Sequence, residues 1–223
     1  MAKRKLKKFA EVASFHNCFF LSFEEARDNG LPLKGKWHKE YFKNNNPIVL
    51  ELGCGKGEYT VGLAERYPEK NFIGVDIKGN RIHTGAKTAV DNKMNNVAFV
   101  RTRIDFIEAC FGANEIDEIW ITFPDPQPQK TRERKRLTNM MFINRYKKIM
   151  KEGGCINLKT DNEPFYDYSK EVAMENKFEV LDSTNDLYAD VSLRDEALTT
   201  IKTHYEKLFS AKGFKICYLK FRV

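Results

Sequence analysis

The sequence predicts an α/β protein of the doubly wound class, built on a mostly parallel sheet of seven strands with an antiparallel strand at its C-terminal edge. From Ile48 onward, short apolar runs rich in β-branched residues alternate with helical patterns. The first run, Ile48 to Leu52, passes directly into glycines at every second position. Alternation of that kind is how parallel strands are joined, because each crossover needs a helix. Strands are expected over 48–52, 71–76, 97–101, 115–122 and 155–160, with helices over 57–66, 80–92, 104–110, 139–150 and 164–175. Two more strands, 177–181 and 214–222, close the pattern, with Gly213 turning the chain into the last. Residues 1–46 lack a clean period and end in Asn44-Asn45-Asn46-Pro47, a loop signal. They read as a basic N-terminal extension lying over a main domain of residues 47–223.

At 223 residues the chain is long enough for one such domain with a well-buried core. A hydrophobic content of 42% fits a soluble globular protein, and no apolar run approaches the ~18 residues of a membrane span. Five scattered cysteines without a Cys-x-x-Cys pair read as reduced thiols of a cytoplasmic protein. The four histidines are equally dispersed, so no metal is expected. The net charge of +7 says little as a sum. Its distribution says more: Lys3, Arg4, Lys5, Lys7 and Lys8 form one cluster, and Lys130, Arg132, Arg134, Lys135 and Arg136 form another with only Glu133 opposing. Such clusters either track a polyanion backbone or are simply solvated surface.

The glycine-rich turn reads Glu51-Leu52-Gly53-Cys54-Gly55-Lys56-Gly57-Glu58. A dinucleotide fingerprint needs its third glycine where Glu58 stands, and no Gly-Lys-Ser/Thr of a P-loop follows. A carboxylate beside glycines suits a cofactor with a cationic end and no phosphate, which points to S-adenosylmethionine. Strand ends carry further acids. Asp76 lies about twenty residues past the glycines, where an acid commonly accepts from ribose hydroxyls. Asp105 follows the third strand, placed either for the exocyclic amine of adenine or as a helix N-cap. Asp125 follows the fourth, and the prolines on either side of it hold it on a stiff loop. A rigid acid, a cofactor pocket and the basic run after it together point to methyl transfer onto a nucleic acid.

With those residues in place the chain resembles the bacterial tRNA (guanine-N7-)-methyltransferase family from about residue 47 to the C-terminus. The shared signatures are Glu-Leu-Gly-Cys-Gly-Lys-Gly, Phe-Ile-Gly-Val-Asp-Ile-Lys-Gly, Phe-Pro-Asp-Pro, Lys-Arg-Leu-Thr, Leu-Lys-Thr-Asp-Asn-Glu-Pro-Phe and Thr203-His204-Tyr205-Glu206. The first two are common to S-adenosylmethionine enzymes, whereas the later ones are specific in combination. The resemblance implies a Rossmann-like methyltransferase sheet and a cofactor site of Glu51, Gly53, Gly55, Gly57, Asp76, Asp105 and Asp125. It implies that Asp161 and the segment from Thr203 to Glu206 face the base, the variable-loop guanosine at tRNA position 46, with Asp161, Thr203 and Glu206 as substrate-binding residues. Asp125 and Asp161 are the candidates to stabilise charge on the methylated base, and Asp125 is favoured as the catalytic residue for its stiff loop. S-adenosylhomocysteine would be the product, tRNA the partner, and the protein a monomer or homodimer. The chain departs from the family after Asp125: Gln127 stands for a tryptophan, Gln129 takes the place of a substrate lysine, and Lys130 comes one residue late. Gln129 and Lys130 are therefore both substrate-binding candidates. Two other classes stay open at this stage, a methyltransferase with another substrate and an RNA-binding subunit that keeps the fold without catalysis.

Overall fold

A computed structural model of the chain describes residues 2–190, 192 and 195–223, with side chains from residue 7 onward. Lys3, Arg4 and Lys5 of the first basic cluster thus have side chains outside the described residues. A single sheet has the order β1-β4-β3-β2-β5-β6-β8-β7 and eight strands where the sequence predicts seven. These are β1 (Cys18–Phe20), β2 (Ile48–Leu52), β3 (Asn71–Asp76), β4 (Val97–Arg101), β5 (Ile116–Thr122), β6 (Met150–Thr160), β7 (Glu179–Thr184) and β8 (Cys217–Arg222). The first six run parallel to one another. The last strand is antiparallel as expected, but it is inserted between β6 and β7, and β7 takes the edge. The exposed and half-buried residues of β7 fit that edge position.

The eighth strand is β1, which pairs with β4 through Cys18 to Phe20. Three residues are too few to show a period, so only the tertiary pairing reveals them. The rest of the segment before β2 also engages the sheet. Trp37 is fully buried, stacks on Phe111 at 5.6 Å and donates its indole N–H to the Cys110 carbonyl at 3.1 Å. The Tyr41 hydroxyl donates to the Val97 carbonyl at 2.9 Å. The carboxylate of Glu115, itself buried, accepts from the backbone N–H groups of Gly35 (2.9 Å), Trp37 (2.9 Å) and Gly112 (2.8 Å).

β2 sits at the centre and is buried on both faces. Its alternation divides the interior: Ile48, Leu50 and Leu52 join a core with Trp37, Phe142 and Tyr146. Val49 joins the opposite core with Tyr59, Phe99 and Trp120. Helices α3 (Glu58–Arg66) and α4 (Gly79–Asp91) carry the apolar residues of that second core, and α6 (Met140–Lys147) and α7 (Glu163–Glu175) those of the first. The predicted helix at 139–150 stops at Lys147, and the chain enters β6 at Met150. The longer β6 is accommodated where the β5–β6 register shifts: Ile116 lies opposite Met150 and Glu118 opposite Cys155, so β6 carries extra residues there. The chain runs from β2 outward to β3 and β4, then returns to β5 on β2's other side. That reversal opens a crevice at the carboxyl ends of β2, β3 and β5. No described helix is long and apolar enough to cross a membrane.

The Glu115 contacts generate a stability prediction. Glu115→Ala leaves three backbone N–H groups without an acceptor and should lower the unfolding free energy by about 3 kcal/mol or more. Urea denaturation measures this, and a loss below about 1 kcal/mol would mean that the carboxylate does not fasten residues 35–37 to the sheet.

Candidate functional site

The crevice begins where β2 ends. Gly53 has φ +76°, and its N–H donates to the Val75 carbonyl at 2.8 Å, so the chain turns out of the strand while remaining bonded to β3. A Cβ on Gly53 would meet no atom within 4 Å, so the glycine is needed for its left-handed backbone and leaves the crevice side open. Gly57 serves differently. Its φ is +71°, and a Cβ would lie 2.6 Å from the Phe99 ring and 3.2 Å from Gly85, so it lets α3 and α4 meet.

Glu51 lies beneath the turn, 3% exposed. One carboxylate oxygen accepts from the Thr60 N–H at 2.8 Å and from the Thr60 hydroxyl, and the other accepts from the Thr122 hydroxyl at 2.6 Å. It thereby joins the ends of β2 and β5 to the first turn of α3. Burial pushes its carboxyl up to about 7, against the lowering effect of the Thr122 and Thr60 hydrogen bonds. Asp76 accepts from the Gly55 N–H at 2.9 Å and the Lys78 N–H at 2.7 Å, which ties the glycine turn to the end of β3.

Two adjoining lobes make up the crevice. A lobe of about 440 Å³ is bounded by Gly53 to Lys56, Glu58, the Phe123–Asp125 loop and Thr203 to Tyr205. The other, of about 410 Å³, is bounded by Gly53, Asp76, Thr102 to Asp105 and Phe142. Gly53, Lys135 and Leu137 line both. Asp105 caps no helix and instead pairs with Arg103 at 3.1 Å on the rim. Asp125 is exposed at the larger lobe, its carboxylate accepting from the Gln127 N–H at 3.1 Å. Phe123 and Gln127 have φ of +48° and +45°, uncommon for residues with a side chain. The Phe123 N–H donates to the Lys159 carbonyl at 2.8 Å, and the Arg136 guanidinium donates to the Gln127 carbonyl at 3.2 Å, so this loop is held from both ends.

The structure thus brings Gly53, Gly55, Asp76, Asp105, Asp125 and Thr203 to one crevice. Glu51 and Gly57 underlie it without lining it. Gln129 and Lys130 do not line either lobe. Gln129 precedes a 3-10 helix over Lys130–Lys135, whose turn carries Arg134 and Lys135 to the wall and leaves Lys130 and Arg132 exposed outside. Asp161 follows β6, half-buried and outside both lobes, and burial raises its carboxyl above the usual range. Thr203 caps α9 (His204–Ser210) by accepting from the Glu206 N–H at 3.1 Å. Glu206 itself is fully buried, and its carboxylate pairs with Lys159 at 2.8 Å away from the crevice. Of the other wall residues, Lys56 and Arg81 were given no role by sequence reasoning, and Lys135, His204 and Tyr205 entered it only as parts of longer segments. Lys135 stood in the basic cluster and His204 and Tyr205 in the late motif, but only the turns decide which of these point inward.

The matching family is described as putative methyltransferase and covers residues 45–219. A tRNA (guanine-N7-)-methyltransferase of Christiangramia forsetii is 47% identical over 222 residues, spanning 100% of this chain and 99% of the relative. The protein of the same description from Bacteroides thetaiotaomicron is 48% identical across 100% of this chain and 87% of its own length. The chain belongs to the tRNA (guanine-N7-)-methyltransferase family. Among solved structures, the 16S rRNA methyltransferase KamB superposes with a TM-score of 0.63 at 14% identity, covering 86% of this chain and 95% of that one. That likeness shows the Rossmann-like methyltransferase fold, now with eight strands in this member of the tRNA (guanine-N7-)-methyltransferase family.

Glu51 makes the site's pH dependence predictable. Its carboxyl titrates near 7 when folded and near 4.5 when unfolded, so between those values the folded protein holds the extra proton. The contribution of Glu51 to stability is therefore greatest below pH 4.5, is lost as pH rises through 7, and is constant above. Thermal unfolding from pH 4.5 to 8 should show this slope superimposed on that of the other groups, and Glu51→Gln should remove that share. Superimposable pH profiles for the two proteins would contradict the buried, proton-holding carboxyl.

Proposed function

We propose that the chain transfers a methyl group from S-adenosylmethionine to N7 of a guanosine in tRNA, the variable-loop guanosine at position 46. The reading is carried by one observation: a glycine turn with an open face, strand-end acids and a cationic 3-10 segment meet in a single crevice. The relatives described as tRNA (guanine-N7-)-methyltransferases support the substrate.

The residues present fit the cofactor. Gly53 offers backbone next to open space, Asp76 is a carboxylate at the end of β3, and Asp105 lies across the same lobe. Gly53, Gly55, Asp76 and Asp105 would hold S-adenosylmethionine, and Glu51 and Gly57 would hold the turn in shape beneath it. Bound there, it supplies an electrophilic methyl group on a sulfonium.

Guanine N7 attacks with a free lone pair and loses no proton, so the protein need not supply a strong base. As the new N7–C bond forms and the S–C bond breaks, the positive charge passes to the purine. Asp125, exposed on its doubly tethered loop, is placed to stabilise that charge by a fixed carboxylate. Walls formed by the Phe123–Asp125 loop and by Thr203 to Tyr205 orient the base, which supplies the proximity term. Arg134 and Lys135 at the wall, with Lys130 and Arg132 outside, meet the phosphates that bring the tRNA to the crevice. Asp161, half-buried just after β6, lies outside both lobes and is given no part in this step.

Incubating the protein with labelled S-adenosylmethionine and unmodified tRNA, followed by nucleoside analysis, should yield 7-methylguanosine. Asp125→Asn should slow single turnover at least about tenfold while tRNA affinity stays within about twofold. Absence of the modified nucleoside with the native protein would sink the function, and an unaffected rate in the variant would remove Asp125 from the chemistry.

Phosphate contacts are tested separately. Replacing Lys130, Arg132 and Arg134 by Gln should flatten the slope of log affinity against log salt by about two to three units, read by filter binding of tRNA. Parallel slopes would leave the segment as plain solvated surface.

A further inference from the structure

Lys159 is the penultimate residue of β6 and lies opposite Thr122 in the sheet, yet its side chain is fully buried. A buried lysine is costly unless every donor is satisfied. Here three partners surround the ammonium: the Leu198 carbonyl at 2.7 Å, a Glu206 carboxylate oxygen at 2.8 Å, and the face of Tyr59 at 5.0 Å from the ring centre. The Tyr188 hydroxyl donates to the same Glu206 oxygen at 2.8 Å. These partners belong to different elements: Tyr59 to α3, Leu198 to α8 (Ala197–Thr200) and Glu206 to α9. The backbone of Lys159 is engaged as well, since its carbonyl accepts from Phe123 at the start of the Asp125 loop.

One residue is therefore attached to two walls of the larger lobe. Its carbonyl holds the loop that carries Asp125, and its ammonium holds the segment that carries Thr203, His204 and Tyr205. A second tether, the Glu58 carboxylate accepting from the His204 N–H at 2.8 Å, fixes the start of α9 to α3. Without Lys159 the 197–206 segment would keep this tether and the core packing of Ala197 and Leu198, and lose its polar link to β6.

We propose that Lys159 is a positioning residue, with the buried Glu206 as its counter-ion, and that the pair sets the distance between the Asp125 loop and the 203–205 wall that receives the base. The catalytic consequence rests on the proposed methyl transfer, but the positioning does not. Glu206 on this account acts through Lys159 and does not touch the base.

Replacing a buried ion pair by apolar residues of similar size is often neutral for stability, so Lys159→Met/Glu206→Met is the variant of choice. Hydrogen exchange on the ligand-free protein reads the positioning directly. Amides of 197–210 should exchange at least about tenfold faster in the double variant, with those of β3 and α4 unchanged and the melting temperature near the native one. Native protection of 197–210 would overturn the proposal. In the transfer assay, turnover should fall at least about tenfold while S-adenosylmethionine affinity stays within about twofold, and Lys159→Arg should recover part of the rate. Native turnover in the double variant would also overturn it. A native protein inactive on tRNA would instead defeat the proposed function, and the exchange result would still decide the role of Lys159.

Discussion

The chain must leave β2 and reverse into α3 within a few residues, at the point where the sheet's connections diverge. A left-handed backbone at Gly53 begins that exit, and the contact of Gly57 with Phe99 and Gly85 completes it by letting α3 settle on α4. The end of β3, the start of α3 and the wall at the start of α9 are fastened to this turn or to the helix that follows it. Asp76 accepts from Gly55, Glu51 accepts from Thr60 one turn into α3, and Glu58 accepts from His204 far along the chain. Displacing the turn would shift β3's end, the α3 start and the α9 wall together, because each is joined to it by a hydrogen bond and not by packing alone. Such coupling makes the crevice rigid before any ligand arrives, and preorganisation of this kind is where an enzyme that needs no strong base can obtain its rate.

Charge is arranged by depth. Glu51 and Asp76 lie low in the fold, each of their oxygens already accepting from a hydroxyl or backbone donor, so their placement serves geometry as well, while Asp76 keeps acceptor capacity toward the crevice. Asp105 and Asp125 sit at the rim, where a carboxylate retains free acceptor capacity for a ligand. Lys130 and Arg132 of the 3-10 segment lie further out, facing solvent, while Arg134 and Lys135 reach the wall. A polyanion approaching the crevice meets the outer cations before the acids. In water-exposed positions those cations contribute mainly to encounter and to salt-dependent affinity, whereas the inner acids act on groups already desolvated.

Much of this was legible in the residues themselves. β2, β3 and β4 have the predicted bounds because buried parallel strands are written as mostly apolar runs, closed here by Gly53, Asp76 and Arg101. The acids at their ends were legible for the same reason. What could not be read was pairing and direction. Cys18 to Phe20 becomes a strand only because β4 offers an unpaired edge, and the final strand slips between β6 and β7 because its partners are chosen by register across the sheet. In the basic segment the residue types are plain, but a 3-10 turn and not the order of residues decides that Lys135 lines the crevice while Lys130 points away.

Glu206 shows the limit most sharply. A carboxylate three residues after a threonine, near the end of a chain that handles a base, reads naturally as a ligand for that base. The same spacing is also that of a helix cap, and Thr203 does cap α9 by accepting from the Glu206 backbone. Capping fixes the first turn of α9, which directs the Glu206 side chain inward to a cationic partner, the Lys159 ammonium. Local structure and long-range charge pairing are thus one device here. The cap decides where the carboxylate points, and the lysine decides that the capped turn stays against the sheet, leaving Thr203, His204 and Tyr205 to face the crevice.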